Sequence, residues 1–140
     1  MRYWDASAVI PLFMEEAGTA LVRSWLAEDG SMAVWALTRL EVVSAIERRA
    51  RDCHLNASQR VWALDTCEKL LKTAHELSDV LAARSRALPL LGRYALRAAD
   101  AAQLGAALLL AESDVSSLPF VALDRRLAEA ARREGFRVLT

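Results

Sequence analysis

Short β-type runs alternate with helical stretches along this chain, and an acidic residue stands where several of the runs end. This alternation narrows the choice of fold. Strands joined in sequence through helices run parallel, and a parallel sheet must be covered on both faces. Met1 to Trp4 is the first run. It closes on Asp5, and helical stretches from about Ala6 to Met14 and Ala17 to Ala27 follow. Glu28, Asp29 and Gly30 make a turn, and Ser31 to Trp35 reads as the second strand. Thr38 then begins a helix whose apolar positions are Leu40, Val43, Ile46 and Ala50. Asn56 is placed to cap a helix that ends near His75, with Val61, Trp62, Leu64 and Leu71 on or near its buried side. Glu76 to Val80 reads as a short third strand.

The second half repeats the pattern. Val80 to Leu91 and Asp100 to Glu112 read as helices, separated by a break at Leu91, Gly92 and Arg93 that glycine makes easy. The later helix, DAAQLGAALLLAE, is nearly all apolar and belongs at the centre of the fold. Pro119 to Leu123 is a strand, Asp124 to Glu134 a helix, Gly135 its C-terminal stop, and Phe136 to Leu139 a last strand. No linker, repeat or change of composition divides the chain, so residues 1–140 are expected to form a single α/β domain with a mostly parallel sheet between helices.

Composition excludes several classes. The apolar fraction is 54%, yet the longest largely apolar stretch, Leu104 to Ala111, falls far short of the ~20 residues that span a bilayer. Asp5 interrupts any basic and apolar leader, so a soluble, cytoplasmic protein with no membrane partner is expected. Cys53 and Cys67 lack a second pair to complete a zinc site and read as buried small hydrophobes. His54 and His75 read as structural or surface residues. The chain has no G-x-S-x-G elbow, no P-loop, no H-E-x-x-H and no glycine-rich dinucleotide fingerprint.

Four acids remain: Asp5, Glu41, Asp100 and Asp124. Each has an ordinary structural explanation. Thr38 to Glu41 spells T-R-L-E, a capping box, and D-A-A-Q from Asp100 reads the same way. Asp124 stands at an N-cap position after a strand, and either Asp5 or Ser7 can cap the first helix. Their placement suggests more. Three of them lie just past a strand or at the following helix start, and the carboxyl ends of parallel strands share one edge, where ligands bind. Carboxylates gathered there repel one another, which raises their pKa values or recruits a hard divalent cation. Such a centre activates water against a phosphodiester.

The eighteen basic residues balance eighteen acids, but setting aside these four leaves fourteen acids. Sixteen of the bases are arginine, suited to forked phosphate contacts, although a bias of genomic base composition explains that abundance equally well. Arg97, Arg125 and Arg126 are candidate RNA contacts, with a solvated helix end as the other reading. Trp25, Trp35 and Trp62 suit a core or a dimer interface better than base stacking.

The order Y-W-D-A-S-A at Tyr3 to Ala8, T-x-x-E at Thr38 to Glu41, L-R-A-A-D-A-A-Q-L at Leu96 to Leu104 and A-L-D-R-R-L-A-E-A-A at Ala122 to Ala131 resembles a PIN domain of the VapC toxin type. The resemblance covers essentially the whole chain. It implies a three-layer sandwich with about five strands, and endoribonuclease activity dependent on magnesium or manganese. It also implies a homodimer and neutralisation by a cognate antitoxin, in a hetero-oligomer with it, whose tail lies in an apolar groove ending at the acids. Carried over by position, Asp5, Glu41, Asp100 and Asp124 are the acidic residues, and Ser7 and Thr38 are hydroxyls that orient the site. Two positions depart from the pattern: Ala122 stands where many relatives carry Thr or Ser, and Gln103 where some carry His. The first leaves open whether Asp124 touches metal directly or through water. Two other readings are a catalytically weak RNA- or protein-binding module and an aspartate-based phosphoryl-transfer enzyme. The latter lacks the second acid at Ser7 and any late-strand lysine.

Overall fold

A computed structural model describes residues 1–140. Five strands form one parallel sheet: β1 Arg2–Trp4, β2 Met32–Trp35, β3 His75–Leu77, β4 Phe120–Val121 and β5 Val138–Leu139, in the spatial order β3-β2-β1-β4-β5. Seven α-helices cover it: α1 Ala6–Val9, α2 Thr19–Glu28, α3 Thr38–Arg51, α4 Ala57–Thr73, α5 Val80–Arg93, α6 Ala98–Ala111 and α7 Arg125–Arg133. The three-layer α/β sandwich expected from the sequence is the fold observed.

The period-two alternation of strands sorts the core into two halves. Tyr3, Ala33, Trp35 and Phe120 face α5, α6 and α7, while Trp4, Met32, Val34 and Val121 face α1 to α4. Adjacent residues of one strand therefore enter opposite cores. This explains why β2 and β4 read as unbroken apolar runs. The chain winds from β1 outward through β2 to β3, then crosses to β4 and β5 on the other side. Right-handed crossovers in opposite directions put the two helix groups on opposite faces. The reversal of direction falls between β1 and β4, the switch point at which open α/β sheets bind ligands.

Several local expectations are corrected. Pro11 interrupts the first helix, which continues past Val9 only as a 3-10 turn over Ile10–Leu12. α3 buries Thr38, Val42, Ala45 and Ile46, whereas Leu40 is 65% exposed. α4 begins at Asn56 with a complete capping box to Gln59, as its sequence suggests, but its buried face is Ala63, Cys67 and Leu71. Val61 and Trp62 are exposed, so Trp62 is not core, while Trp25 and Trp35 are. β3 lies earlier than expected, because Asp79 caps α5 through the Ala82 amide and commits Val80 to the helix. Gly92 falls in the last turn of α5 and does not break it. Cys67 is buried, and desolvation pushes its thiol up to about 11; Cys53 is exposed, in a left-handed turn after α3. His54 and His75 lie on the surface.

Gly135 is the expected stop. At φ 99° it donates to the Arg132 carbonyl while Phe136 donates to Ala131, the paired bonds of a left-handed helix terminus. Gly105 serves a different purpose. A Cβ there would lie 2.7 Å from the Ala83 carbonyl oxygen and 2.8 Å from Ala87, so glycine permits the close crossing of α5 and α6.

Candidate functional site

Asp5 follows β1 directly, and its amide extends the β1–β4 ladder by donating to the Val121 carbonyl at 2.9 Å. Its carboxylate caps α1 by accepting the Ser7 amide at 2.9 Å. Ser7 is therefore not the cap. Its hydroxyl accepts from the amides of Leu123 and Asp124, at 2.9 and 3.1 Å, and so ties the end of β4 to the end of β1 across the switch point. These two amides would otherwise need another acceptor, since Ala122 offers no hydroxyl. Asp124 caps α7 through the Leu127 amide at 2.8 Å and remains exposed.

The other two acids do not behave as their local sequence suggests. Leu37 is the N-cap of α3, and the T-R-L-E box does not form. Instead, Gln103 from α6 donates to Glu41 at 2.8 Å and to the Thr38 hydroxyl at 3.3 Å. A buried amide bonded to a carboxylate is worth more than a solvated backbone bond, which turns Glu41 inward. Asp100 is not an N-cap either. Helix α6 starts at Ala98, and Asp100, in its first turn, reaches back to the Arg97 amide at 3.2 Å. Gln103 takes no part in a box with Asp100, because its side chain is turned into the core.

Gln103, marked in the sequence only as a departure from the family pattern, and Tyr3 are the site residues to which the sequence assigned no role. Both are fully buried, and the Tyr3 hydroxyl donates to Gln103 Oε1 at 2.9 Å. Desolvation, reinforced by Asp5 and Glu41, raises the Tyr3 pKa well above the usual phenol value, so this hydroxyl stays a donor. It fixes the amide with its oxygen toward Tyr3 and its nitrogen toward Glu41. The available signal was the single polar residue in an otherwise apolar stretch, one turn beyond Asp100.

Electrostatics link the acids. Burial pushes Asp5 up to about 7; hydrogen bonds from Ser7 oppose this, and Glu41 and Asp100 raise it further. Glu41 is raised first by burial and also by Asp100, against the lowering effect of Gln103 and the nearby Trp35 indole. Asp100 is raised by burial and by Asp124. None of the four forms an ion pair. Asp5 is thus a carboxylate only 4% exposed, hydrogen-bonded by Ser7 alone and without a counter-charge. Such a group needs a proton or a cation. An all-oxygen donor set fits a hard divalent ion. The acids nevertheless stand apart, and no three close round one point as a finished cage.

Cationic residues flank the acids. Arg97, Arg125 and Arg126 line a cleft with Asp100 and Asp124. On the far side, an apolar cleft of about 250 Å3 runs between α5 and α6, lined by Val80, Ala87, Leu88, Leu91 and Ala101, with Trp35 among its walls. No helix is long and apolar enough to cross a membrane.

No protein-family model matches the sequence, and no curated protein matches it significantly. Solved structures do match. A toxin–antitoxin complex from Klebsiella pneumoniae aligns over 100% of this chain and 97% of its own, at TM-score 0.70 and 17% identity. FitAcB from Neisseria gonorrhoeae covers the same shares at 0.68 and 16%. PAE2754 from Pyrobaculum aerophilum aligns over 93% of this chain and 79% of its own, at 0.63 and 25%. With five parallel strands in the order β3-β2-β1-β4-β5 and agreement with these structures over 93% or more of this chain, the fold of this chain is that of the PIN domain.

Proposed function

We propose that this protein is a divalent-cation-dependent endoribonuclease, the toxin of a toxin–antitoxin pair. The observation that carries the reading is Asp5, a buried carboxylate at the β1/β4 switch point that lacks a counter-charge and feels Glu41 and Asp100. Asp5, Glu41 and Asp100 would hold magnesium or manganese, and Asp124 would join them directly or through water. A divalent ion held there would supply a water of lowered pKa and charge neutralisation at the leaving oxygen.

The chain's own groups do the rest. Gln103, held by Tyr3, aims the Glu41 carboxylate. Thr38 completes that contact, and Ser7 keeps the turn before Asp124 against β1. Arg97, Arg125 and Arg126 supply positive charge for the phosphates beside the scissile bond. The apolar cleft with Trp35 in its wall suits the tail of an antitoxin, since Trp35 also neighbours Glu41 and so leads toward the acids. One of the similar structures is itself described as a toxin–antitoxin complex.

Purified protein incubated with structured RNA and magnesium or manganese should cut it. Chelation with EDTA, or Asp5→Asn, should stop the cutting while circular dichroism stays native, because Asn keeps the cap. Absence of cleavage with either ion would remove the catalytic reading. A second reading, a binding module without turnover, draws support from the open spacing of the acids. It predicts RNA or protein binding in the same preparation and no cut product.

A further inference from the structure

Three shallow clefts meet along the carboxyl edge of the sheet and share lining residues. The first, about 390 Å3, is lined by Ile10, Met14, Leu123 and Arg48, with Asp124 in common with the second. The second, about 360 Å3, holds Asp100 and Asp124 among Arg97, Arg125 and Arg126. The third, about 410 Å3, shares Ala95, Arg125 and Arg126 with the second and extends to Arg93 and Arg133. Together they make a groove that runs from α3 to α7 past Asp100 and Asp124.

The charges in this groove are unevenly paired. Arg49, Arg93 and Arg133 have carboxylate partners in Glu16, Glu134 and Glu129. Arg48, Arg97, Arg125 and Arg126 have none. The unpaired acids among them are Asp100 and Asp124. Once those acids serve a cation, four arginines on two sides of it lack counter-charges. A chain of phosphates supplies one at each position. Asp5, only 4% exposed, lies behind Ser7, which lines the first cleft and donates its amide to the Asp5 carboxylate, so the reacting phosphate must reach inward from the groove, which a strand freed from its complement can do.

We propose that the substrate binds as a single RNA strand lying across α3 and α7, bracketed at the scissile bond. Arg48 takes a phosphate on one side, and Arg97, Arg125 and Arg126 take phosphates on the other. The assignment rests on the ribonuclease reading and adds Arg48, on a helix that no motif connects with substrate. Helix α3 thereby carries both a site acid, Glu41, in its first turn and a substrate contact in its last.

The test is fluorescence anisotropy of a fluorescein-labelled ten-residue oligouridylate, with full-length Asp5→Asn protein in magnesium chloride over a range of salt. Added to that background, Arg48→Gln and Arg126→Gln should each weaken binding about three- to ten-fold and flatten the log K against log salt slope by roughly 0.7. Arg51→Gln, on the same helix as Arg48 but outside the clefts, should change neither. An unchanged Arg48→Gln, or an Arg51→Gln with an equal loss, overturns the proposal. Displacement of the RNA by an equal charge concentration of poly-L-glutamate would also overturn it, since the groove would then take an acidic peptide. If wild-type protein cuts RNA while Arg48→Gln binds normally, the two-sided path fails and the ribonuclease reading stands. If wild-type protein neither binds nor cuts, both fail.

Discussion

Asp5 brings together what a single residue can and cannot reveal. Its position after an apolar run marks it in the sequence as a cap or a ligand, and it caps α1. Its burial and its pKa of about 7 depend on α3, α6 and β4, which no local pattern conveys. In the folded, cation-free protein burial pushes the Asp5 pKa up to about 7, against about 3.9 for an ordinary aspartate. The folded state therefore binds more protons between those values, so the stability this group contributes falls as pH rises through the window and stays low above it. Metal-free Asp5→Asn should melt higher than wild type at pH 8, by the equivalent of a few kcal/mol, and the gap should close only as the pH falls to about 4. Differential scanning calorimetry in EDTA checks this. An equal gap at both pH values would contradict it. Gln103 is the residue hardest to read in advance, because its partners lie 100, 65 and 62 positions away. Tyr3→Phe leaves its amide oxygen buried without a donor and should cost about 1–3 kcal/mol in urea denaturation. A loss below half a kcal/mol would mean that the contact does not hold the amide.

Helices and strands were easier to read in kind than in facing. Every β-type run became a strand; the central strands leave an apolar signature because both their faces are buried, whereas β3 is largely exposed and β5 half-buried. The faces of α3 and α4 were misassigned for one physical reason. Both carry apolar residues all round, including exposed Leu40, Val61 and Trp62, so periodicity alone does not select the side that meets the sheet. Exposure makes a prediction for Trp62: Trp62→Ser should leave the chemical-denaturation midpoint of the isolated chain nearly unchanged, within about 0.5 kcal/mol. A larger loss would place Trp62 in a contact absent from the single chain. At the α5–α6 crossing the opposite holds. Gly105→Ala puts a methyl group against backbone, which cannot yield as a flexible side chain can, and should destabilise by about 1–3 kcal/mol. Guanidinium unfolding measures it, and a neutral result would mean that α5 moves aside freely. Since this crossing also shapes the apolar cleft beside Trp35, the same variant should weaken binding of the antitoxin tail proposed for that cleft.

For the molecule as a whole, the sheet's reversal between β1 and β4 decides where chemistry can occur. The crossover order was legible only as alternation; which strand lies beside β1 is set by packing between distant segments. Once β4 is next to β1, Asp5 and Asp124 flank the switch point, and α3 and α6 bring Glu41 and Asp100 to the same edge. The acids, and Ser7 as a site-orienting hydroxyl, were thus legible as candidates, while the link from Gln103 to Glu41 was not. A bound cation that touches only the folded form should stabilise it by about 2.7 kcal/mol at a hundredfold excess over its dissociation constant. Calorimetric titration of manganese into the chelator-treated chain is the most direct test of the central claim. Wild-type protein should bind the ion, while Asp5→Asn and Asp100→Asn, still folded, should lose at least about tenfold in affinity. Undiminished binding by both variants would show that these carboxylates do not form the metal site.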